Sequence, residues 1–336
     1  AVTIKSEREI ELMREAGKIL AQVHEALGKE LKPGMSTLEV DRRGEEMIRS
    51  FGCEPSFKNY QGYPASVCVS INEEVVHGIP NKNRIIEEGD IVSLDIGVIH
   101  KGYHSDAART HGVGEISEEA RLLIERTRKS FFEGIKYAKA GNHLHEISRA
   151  IGDYAESFGY GVVRDLCGHG IGTHLHEDPE IPNFKQFRRG IKLRPGMTLA
   201  IEPMIDLGTA DVVWMDDDWT VVTEDMSLSA HYENTILITD GEPEILTLTE
   251  SEIASEGEFL RSYMYSGNAI EKDEKFVYLV NGTTKPLDAP KQKSRKHIQV
   301  IRRLPQEVLD VLDGTWSDTA VKRAVKLYQC RNQEDL

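Results

Sequence analysis

Along the first three quarters of the chain, apolar positions follow the 3.6-residue period of amphipathic helices and then the short runs typical of strands. A first helix is predicted over about residues 6–28, and it begins with the capping box Ser6-x-x-Glu9. A second helix is predicted from Ser36 to about Gly52. Strands are then predicted at about residues 66–71, 90–98 and 104–110.

The same order of elements recurs further along the chain. Residues 89–95 and 196–202 share the frame Gly-x-x-apolar-x-apolar-acid, so their acidic ends occupy equivalent positions of a repeat. Two halves of helices packed on curved antiparallel strands predict an α+β domain with its site between the halves. The elements predicted for the second half are helices at about 117–140 and 143–158, and strands at about 160–166, 197–203 and 229–238.

Residues 206–226 interrupt this pattern between the last two predicted strands. They are rich in acidic residues, valine and tryptophan, as in the run Val212-Val213-Trp214. We expect them to form a short hairpin arm that leaves the sheet.

Two aspartates flank the turn between the strands at 90–98 and 104–110. With a two-residue loop at residues 100–101, Asp95 lies directly opposite Asp106, and their Cβ atoms are about 4.5–5.5 Å apart. Carboxylates this close repel each other unless a proton or a metal ion lies between them. Two unrelated surface aspartates are the alternative, but Asp95 ends an apolar strand of the kind that is buried.

Charge is unevenly distributed over the 336 residues, whose formal net charge is −15. Residues 251–336 contain 14 Lys or Arg and 13 Asp or Glu, so residues 1–250 carry a balance of −16. This acidic first part argues against nucleic acid as its direct substrate. The change predicts a domain boundary near residue 250, with domains 1–250 and 251–336.

Composition also limits the location of the protein. No run of 18 apolar residues occurs, so we expect no membrane-spanning helix and no membrane partner. The four cysteines have no CxxC or zinc-type spacing, which indicates reduced thiols and a cytoplasmic protein.

Three further side chains are candidate metal ligands. His169 lies in a glycine-rich segment predicted as a turn, Glu202 ends a predicted strand, and Glu233 lies early in another. Taken singly, His169 could be an ordinary turn residue, and Glu202 and Glu233 could be solvated surface glutamates. With Asp95 and Asp106 they make an oxygen-rich, thiolate-free set, which favours a pair of divalent ions such as Mn, Fe, Co or Zn and a hydrolytic reaction.

Residues 1–248 resemble the bacterial type I methionine aminopeptidases, which have the pita-bread fold. The resemblance covers about three quarters of the chain, and every motif occurs in order. The matching stretches are residues 66–80, Asp95-Ile-Gly, His104-Ser-Asp106, Gly168-His169-Gly-Ile-Gly, His174-Leu-His176-Glu, Ala200-Ile-Glu202-Pro and Tyr232-Glu233-Asn-Thr.

The resemblance implies a metal-dependent exopeptidase that removes the initiator methionine from nascent polypeptides with a small second residue. It implies that Asp95 binds the first of two divalent ions and that His169 and Glu202 bind the second. Asp106 and Glu233 would bridge the two ions. As partners it implies nascent chain N-termini near the ribosomal exit site, with a monomeric enzyme.

The resemblance also assigns roles around the substrate. Glu202 would act as the general base. His176 would hydrogen-bond the substrate carbonyl or the developing oxyanion, and His77 would contact the adjacent peptide backbone. The methionine pocket would be formed by Tyr60, Tyr63, Cys68, Trp219, Phe57 and Leu175.

Two of these pocket positions depart from the enterobacterial pattern of the family. Phe57 stands where a cysteine is usual, and Leu175 stands where a phenylalanine is usual. Both remain apolar, so we expect the preference for methionine to be preserved.

Two alternatives share the fold. A non-catalytic pita-bread module that binds protein or RNA would have lost metal ligands, whereas this sequence keeps the ligand set and both histidines. Prolidase-like or aminopeptidase P-like enzymes usually carry a large N-terminal domain, which we expect to be absent here, and lack this methionine pocket pattern.

The family resemblance stops at about residue 250. The run from Phe276 to Ile298 resembles the second half of small KOW-type, ribosomal-protein-like barrels, with a strand, a turn, a lysine-rich stretch and a short strand. This predicts RNA or ribosome docking, and a solvated basic loop on a docking domain is the alternative. Helices are expected at about 305–312 and 317–329. The basic residues concerned are Lys285, Lys291, Lys293, Arg295, Lys296, Arg302 and Arg303.

Overall fold

The computed structural model describes residues 1–264, 276–280, 283–284 and 298–303. It divides into two compact units, Ala1–Glu256 and Gly257–Leu336. Every helix of the described residues is too short or too polar to cross a lipid bilayer.

The first half of the first unit begins with the two predicted helices. Ser6 caps the first one in a reciprocal capping box, because its hydroxyl accepts from Glu9 N and the Glu9 carboxylate accepts from Ser6 N. Ser36 caps the second through Glu39 N. The elements are α1 (Glu7–Glu30), α2 (Thr37–Ser50), β1 (Glu54–Pro55), a 3₁₀ turn (Tyr60–Gly62), β2 (Val67–Ile71), β3 (Glu74–Val76), β4 (Ile91–His100) and β5 (Tyr103–Gly112).

The second half repeats the helix pair, and its strands then form three further sheets, one of which also includes β3. Ser117 caps its first helix through Ala120 N. The elements are α3 (Glu118–Ile135), α4 (Leu144–Glu156), β6 (Gly161–Val162), β7 (Gly168–Gly170), β8 (Glu177–Ile181), β9 (Thr198–Ile201), β10 (Met204–Asp206), β11 (Val212–Trp214), β12 (Val221–Thr223), β13 (Ser229–His231), β14 (Asn234–Leu237) and β15 (Glu244–Ile245).

Antiparallel sheets carry both halves, as the predicted α+β class requires. β4 is central in the first half and pairs with β1, β2 and β5. The second half has a five-stranded sheet in the order β15-β14-β9-β7-β8 and a three-stranded sheet in the order β13-β10-β6. Gly89 and Gly196 precede β4 and β9 by two residues and share a left-handed backbone, with φ of 91° and 93°. This agrees with the predicted repeat.

The predicted register of the β4–β5 hairpin is wrong by two residues. His100 pairs with Tyr103, so the loop is Lys101-Gly102. Both loop residues have positive φ, 48° and 88°, which is the requirement of a type I′ turn and favours glycine at its second position. Asp106 therefore lies opposite Gly97, not Asp95. Because the shift is two residues, the two aspartates stay on one face as diagonal neighbours.

The hairpin predicted at residues 206–226 is present, but its second strand, β12, is buried as part of the core instead of leaving the sheet. β11 pairs with β12, and β12 also pairs with β3 of the first half. The predicted strand at 229–238 is instead broken into β13 and β14, which join different sheets. Tyr232 and Glu233 lie at this break.

The remaining described elements are one helix and three strands. Helix α5 (Glu250–Arg261) begins at residue 250 and so crosses the predicted boundary. β16 (Phe276–Val280), β17 (Thr283–Thr284) and β18 (Ile298–Arg303) form an antiparallel sheet in the order β17-β16-β18. The predicted helices at about 305–312 and 317–329 lie outside the described residues, and the KOW-type barrel stays a prediction.

Candidate metal centre and substrate pocket

Five side chains predicted as metal ligands converge between the two halves. Asp95 lies on β4, Asp106 on β5 and His169 on β7, while Glu202 follows β9 and Glu233 precedes β14. Each is less than one-tenth exposed. His169 Nε2 lies 3.4 Å from Asp106 Oδ2, 3.3 Å from Glu202 Oε1 and 3.9 Å from Glu233 Oε2.

The potential ligand atoms form two overlapping groups. Within each group these atoms lie within 4.8 Å of one another. Glu233 belongs to both groups, which is the arrangement needed by a carboxylate that serves two ions. One group contains Asp95, Glu202, His231 and Glu233, and the other contains Asp106, His169 and Glu233.

Buried polar atoms without hydrogen-bond partners test whether divalent ions fit this centre. His169 Nδ1 lies 2.9 Å from Gly170 O, which can only accept, so Nδ1 carries a proton and Nε2 is the atom that would offer its lone pair to a metal ion. Burial of unpaired carboxylate oxygens is costly unless a cation compensates it. At this centre, the buried atoms without a hydrogen-bond partner include Asp95 Oδ1, Asp106 Oδ1, both carboxylate oxygens of Glu233 and His169 Nε2. The centre therefore fits divalent ions.

The pKa values of these side chains also indicate that the centre needs bound cations. Burial and the negative charge of Asp106 raise the pKa of Asp95 well above its usual value. Burial, together with Asp106 and Glu202, does the same to the pKa of Glu233. Burial also disfavours charged forms of Glu202 and His169, but their mutual contact wins: it lowers the pKa of Glu202 and, with Asp106, raises the pKa of His169 to about 10. Bound cations would favour ionised carboxylates and a neutral imidazole.

The glycine-rich segment around His169 is a strand, which corrects the prediction of a turn. β7 runs between β8 and β9. A Cβ at Gly168 would lie 2.3 Å from Ala200 O, and a Cβ at Gly170 would lie 2.1 Å from Asp178 O. The two glycines thus allow close approach of the neighbouring backbone and hold His169 in the middle of the sheet.

Sequence reasoning missed His231, which is 1% exposed and belongs to the centre. Its Nε2 lies 3.1 Å from Glu202 Oε2; because a carboxylate accepts, Nε2 donates. This contact orients Glu202 so that Oε1 faces His169. The available signal was strand periodicity, since His231 lies two residues before Glu233 and could share its face.

The six residues predicted for the methionine pocket share one apolar cluster beside the metal centre. Cys68 on β2 pairs directly with Asp95 on β4, so the pocket and the centre meet on one face. Burial and Asp95 raise the pKa of Cys68 well above its usual value, which keeps it an uncharged thiol. Phe57, Tyr63, Cys68 and Leu175 are buried in the cluster, and Tyr60 and Trp219 pack against it.

Trp219 connects the hairpin arm to this pocket. Its ring meets Tyr63 edge-on at 5.1 Å and His77 at 6.0 Å. His77 has φ of 59°, a conformation that non-glycine residues adopt rarely and that is found at functional sites. His77 and Trp219 therefore pack together beside the apolar cluster.

His176 approaches the centre from its exposed side. Its ring lies 4.2 Å from the ring of His169, and its Nδ1 lies 2.8 Å from the Tyr60 hydroxyl. Burial lowers the pKa of His176, and also that of His77. Both imidazoles are therefore neutral near pH 7 and can each donate one hydrogen bond.

The structure describes only two of the seven basic residues predicted for RNA binding, and these by their backbone. Five lie outside the described residues, namely Lys285, Lys291, Lys293, Arg295 and Lys296. Arg302 and Arg303 lie on β18.

Comparison with known proteins places the chain in a family. The model of metallopeptidase family M24 matches residues 11–240. The methionine aminopeptidase of Clostridium acetobutylicum is 57% identical over 249 residues, which are 74% of this chain and 100% of that protein. Methionine aminopeptidase 1 of Bacillus subtilis is 48% identical over 246 residues, covering 73% of this chain and 99% of that protein.

A solved structure agrees with these sequence relatives. The crystal structure of methionine aminopeptidase from Thermotoga maritima superposes with a TM-score of 0.72 at 45% identity, and the match covers 74% of this chain and 100% of that one. The pita-bread fold predicted from the sequence is thus confirmed. The chain belongs to the methionine aminopeptidases of metallopeptidase family M24.

Proposed function

We propose that the chain removes the N-terminal methionine from nascent polypeptides whose second residue is small. The family establishes metal-dependent removal of an N-terminal methionine. The observation that supports the finer proposal is the junction of a carboxylate-rich centre with an apolar pocket, joined at the Cys68–Asp95 pair.

The proposed cofactors are two divalent ions, chosen among Co, Mn, Fe and Zn. Asp95 would hold the first, His169 and Glu202 the second, and Asp106 and Glu233 both. Bound there, such ions would lower the pKa of a water molecule and so supply a hydroxide nucleophile at neutral pH.

The residues of the chain would then supply positioning and proton transfer. Glu202 takes the proton of the attacking water and passes it to the departing amine, while His231 holds its other carboxylate oxygen at 3.1 Å. The Tyr60 hydroxyl donates to His176 Nδ1, which leaves His176 Nε2–H to stabilise the oxyanion of the substrate. His77 donates to the backbone next to the cleaved bond.

The pocket would select methionine by shape and polarisability. Aromatic rings of Tyr63 and Trp219 and the thiol of Cys68 form surfaces suited to a flexible thioether. Phe57 and Leu175 add apolar wall, so a charged or strongly polar first residue would lose hydration without compensation.

A pair of histidine variants tests the proposed site. We expect His169→Ala to abolish methionine release from a Met-Ala-Ser peptide and to lower the metal content of the purified protein. His174→Ala is the matched control, because that side chain is 81% exposed and five residues away. Full activity of His169→Ala would reject the site assignment.

Residues 251–256 belong to the first unit, so for the second unit, Gly257–Leu336, we propose a domain that docks on the ribosome or on RNA in the cytoplasm, attached to a monomeric enzyme. The support is the cluster of basic residues between Lys285 and Arg303. Removing residues 265–336 should weaken co-sedimentation with ribosomes at low salt while methionine release from a peptide continues. Unchanged co-sedimentation would contradict the docking proposal, and size-exclusion chromatography with light scattering tests the monomer.

A further inference from the structure

The two halves of the catalytic unit are joined by a β-bridge directly beside the metal centre. Ala108 N donates to Glu233 O at 3.2 Å, and Glu233 N donates to Ala108 O at 3.0 Å. Asp106 lies two residues before Ala108 on β5, and its backbone is held on the same side by Thr235. The bridge therefore sets the separation between the two carboxylates, of Asp106 and Glu233, that serve both ions in the proposed function.

The buried Arg109 side chain stabilises this bridge through hydrogen bonds to its backbone. Its Nη1 donates to both carbonyl oxygens of the bridge, to Ala108 O at 2.9 Å and to Glu233 O at 2.6 Å. Its Nη2 donates to Asn234 Oδ1 at 2.7 Å and to Thr247 O at 3.2 Å. Arg109 is 6% exposed, so this guanidinium fixes the backbone on either side of Glu233 with charge-assisted hydrogen bonds.

Glu252 on α5 is the carboxylate that balances this buried charge. Arg109 Nε donates to Glu252 Oε1 at 2.6 Å, and the Tyr232 hydroxyl donates to Glu252 Oε2 at 2.8 Å. The two side chains are only 7% and 14% exposed. The Arg109 guanidinium also lies 4.2 Å from the centre of the Tyr232 ring, so Arg109, Tyr232 and Glu252 all contact one another. Glu252 lies outside residues 11–240, the stretch matched by the family model.

We propose that Glu252 is a positioning residue for the metal centre: it holds Arg109 on the bridge and so keeps Glu233 at the distance from Asp106 that metal binding needs. The proposal rests on the assignment of Glu233 as a metal ligand. Glu252 acts only through Arg109 and touches neither the ions nor the substrate. A merely structural role would instead lower stability without changing metal affinity.

The same helix offers a matched control. Glu256 pairs with Arg128, whose guanidinium lies 4.9 Å from the Phe132 ring centre and 6.0 Å from the Tyr232 ring centre; Arg128 donates to Glu256, whereas the carbonyl oxygens of the Ala108–Glu233 bridge accept from Arg109. The pairs at Glu252 and Glu256 are both Arg–carboxylate contacts between α5 and the catalytic unit. Replacing either glutamate with glutamine keeps the shape and removes one charge.

The experiment compares Glu252→Gln and Glu256→Gln in the full chain. Each protein is stripped of metal and titrated with Mn²⁺ by calorimetry, and its thermal unfolding is recorded without metal. We expect Glu252→Gln to weaken Mn²⁺ binding by about tenfold, as is usual for residues that orient metal ligands, and Glu256→Gln to leave it unchanged. Wild-type Mn²⁺ affinity in Glu252→Gln overturns the proposal, whatever happens to its unfolding temperature.

A second variant and a separate activity measurement complete the comparison of Mn²⁺ affinities. If Glu252→Gln does not fold, Glu252→Asp, which keeps the charge at a shorter reach, is compared with the wild type by the same titration and the same criterion. Methionine release by the wild type is measured separately. Its absence would contradict the proposed function while leaving the comparison of metal affinities valid.

Discussion

Ending the chain at residue 249 should destabilise the catalytic unit, whereas ending it at residue 264 should not. The shorter chain lacks α5 and therefore Glu252, the partner of Arg109. The shorter chain also lacks Glu252 Oε2, which accepts a hydrogen bond from the Tyr232 hydroxyl. The longer chain keeps all of these contacts, although both chains lose the basic segment.

The size of the effect follows from the burial of the pair. Removing one partner of a buried ion pair costs about 3–5 kcal/mol, because the other charge stays desolvated. Glu252 is 14% exposed, and without α5 water can reach the Arg109 guanidinium, so the lower end, about 3 kcal/mol, is the appropriate figure. This is a large fraction of the stability of about 5–15 kcal/mol that is typical of a folded protein.

Urea unfolding of the two metal-free chains, followed by circular dichroism, measures this difference. With an m-value of about 3 kcal/mol/M, the midpoint of the chain ending at 249 should lie about 1 M below that of the chain ending at 264. Equal midpoints would refute the reasoning, because they would mean that the Arg109–Glu252 pair contributes nothing to the stability of the unit.

Three further predictions follow from the geometry of the site. In the metal-free protein, the raised pKa values of Asp95 and Glu233 mean that the folded state keeps protons that the unfolded chain releases, so stability should fall as pH rises above about 4. Asp95→Asn should flatten this fall in thermal melts between pH 5 and 7, and an unchanged slope would count against it. His176→Ala should lower kcat by about 10²–10³ without weakening Mn²⁺ binding, and a wild-type kcat would remove its role at the oxyanion. Trp219→Ala should raise KM for Met-Ala-Ser while metal affinity is kept, and an unchanged KM would exclude Trp219 from the pocket.

The helices were predictable because local signals determine them. The capping serines at positions 6 and 36 mark helix starts one residue later, and the predicted ends at residues 28 and 52 lie within two residues of the observed ends, Glu30 and Ser50. The end of the third helix was predicted five residues too late, at residue 140 instead of Ile135. The five metal-ligand candidates were likewise visible as acids and one histidine at the ends of apolar runs. The structure brings all five together.

The β4–β5 loop and strand β7 were predicted wrongly because they depend on backbone geometry, which residue types indicate less directly. The hairpin loop was misassigned because both His100-Lys101 and Lys101-Gly102 fit between the strands; the glycine at the second loop position was the overlooked signal. β7 was mistaken for a turn because its glycines serve close strand packing rather than a change of direction.

The contribution of α5 was missed for a different reason. The change in charge near residue 250 suggested a boundary, yet Thr249-x-x-Glu252 is a helix start signal, and Glu252 N donates to Thr249 Oγ1 at 3.3 Å. Arg109 looked like an ordinary strand residue, since its partners at Glu233, Asn234 and Glu252 are more than 100 residues away. Such long-range pairs depend on tertiary packing and leave no local pattern.

The most direct test of the central claim is methionine release from Met-Ala-Ser by the metal-stripped protein, before and after titration with Mn²⁺ or Co²⁺. A two-metal centre should give no release without metal, recovery that saturates as two ions bind per chain, and no recovery in Asp106→Asn. Release by the stripped protein, or full recovery in Asp106→Asn, would contradict it.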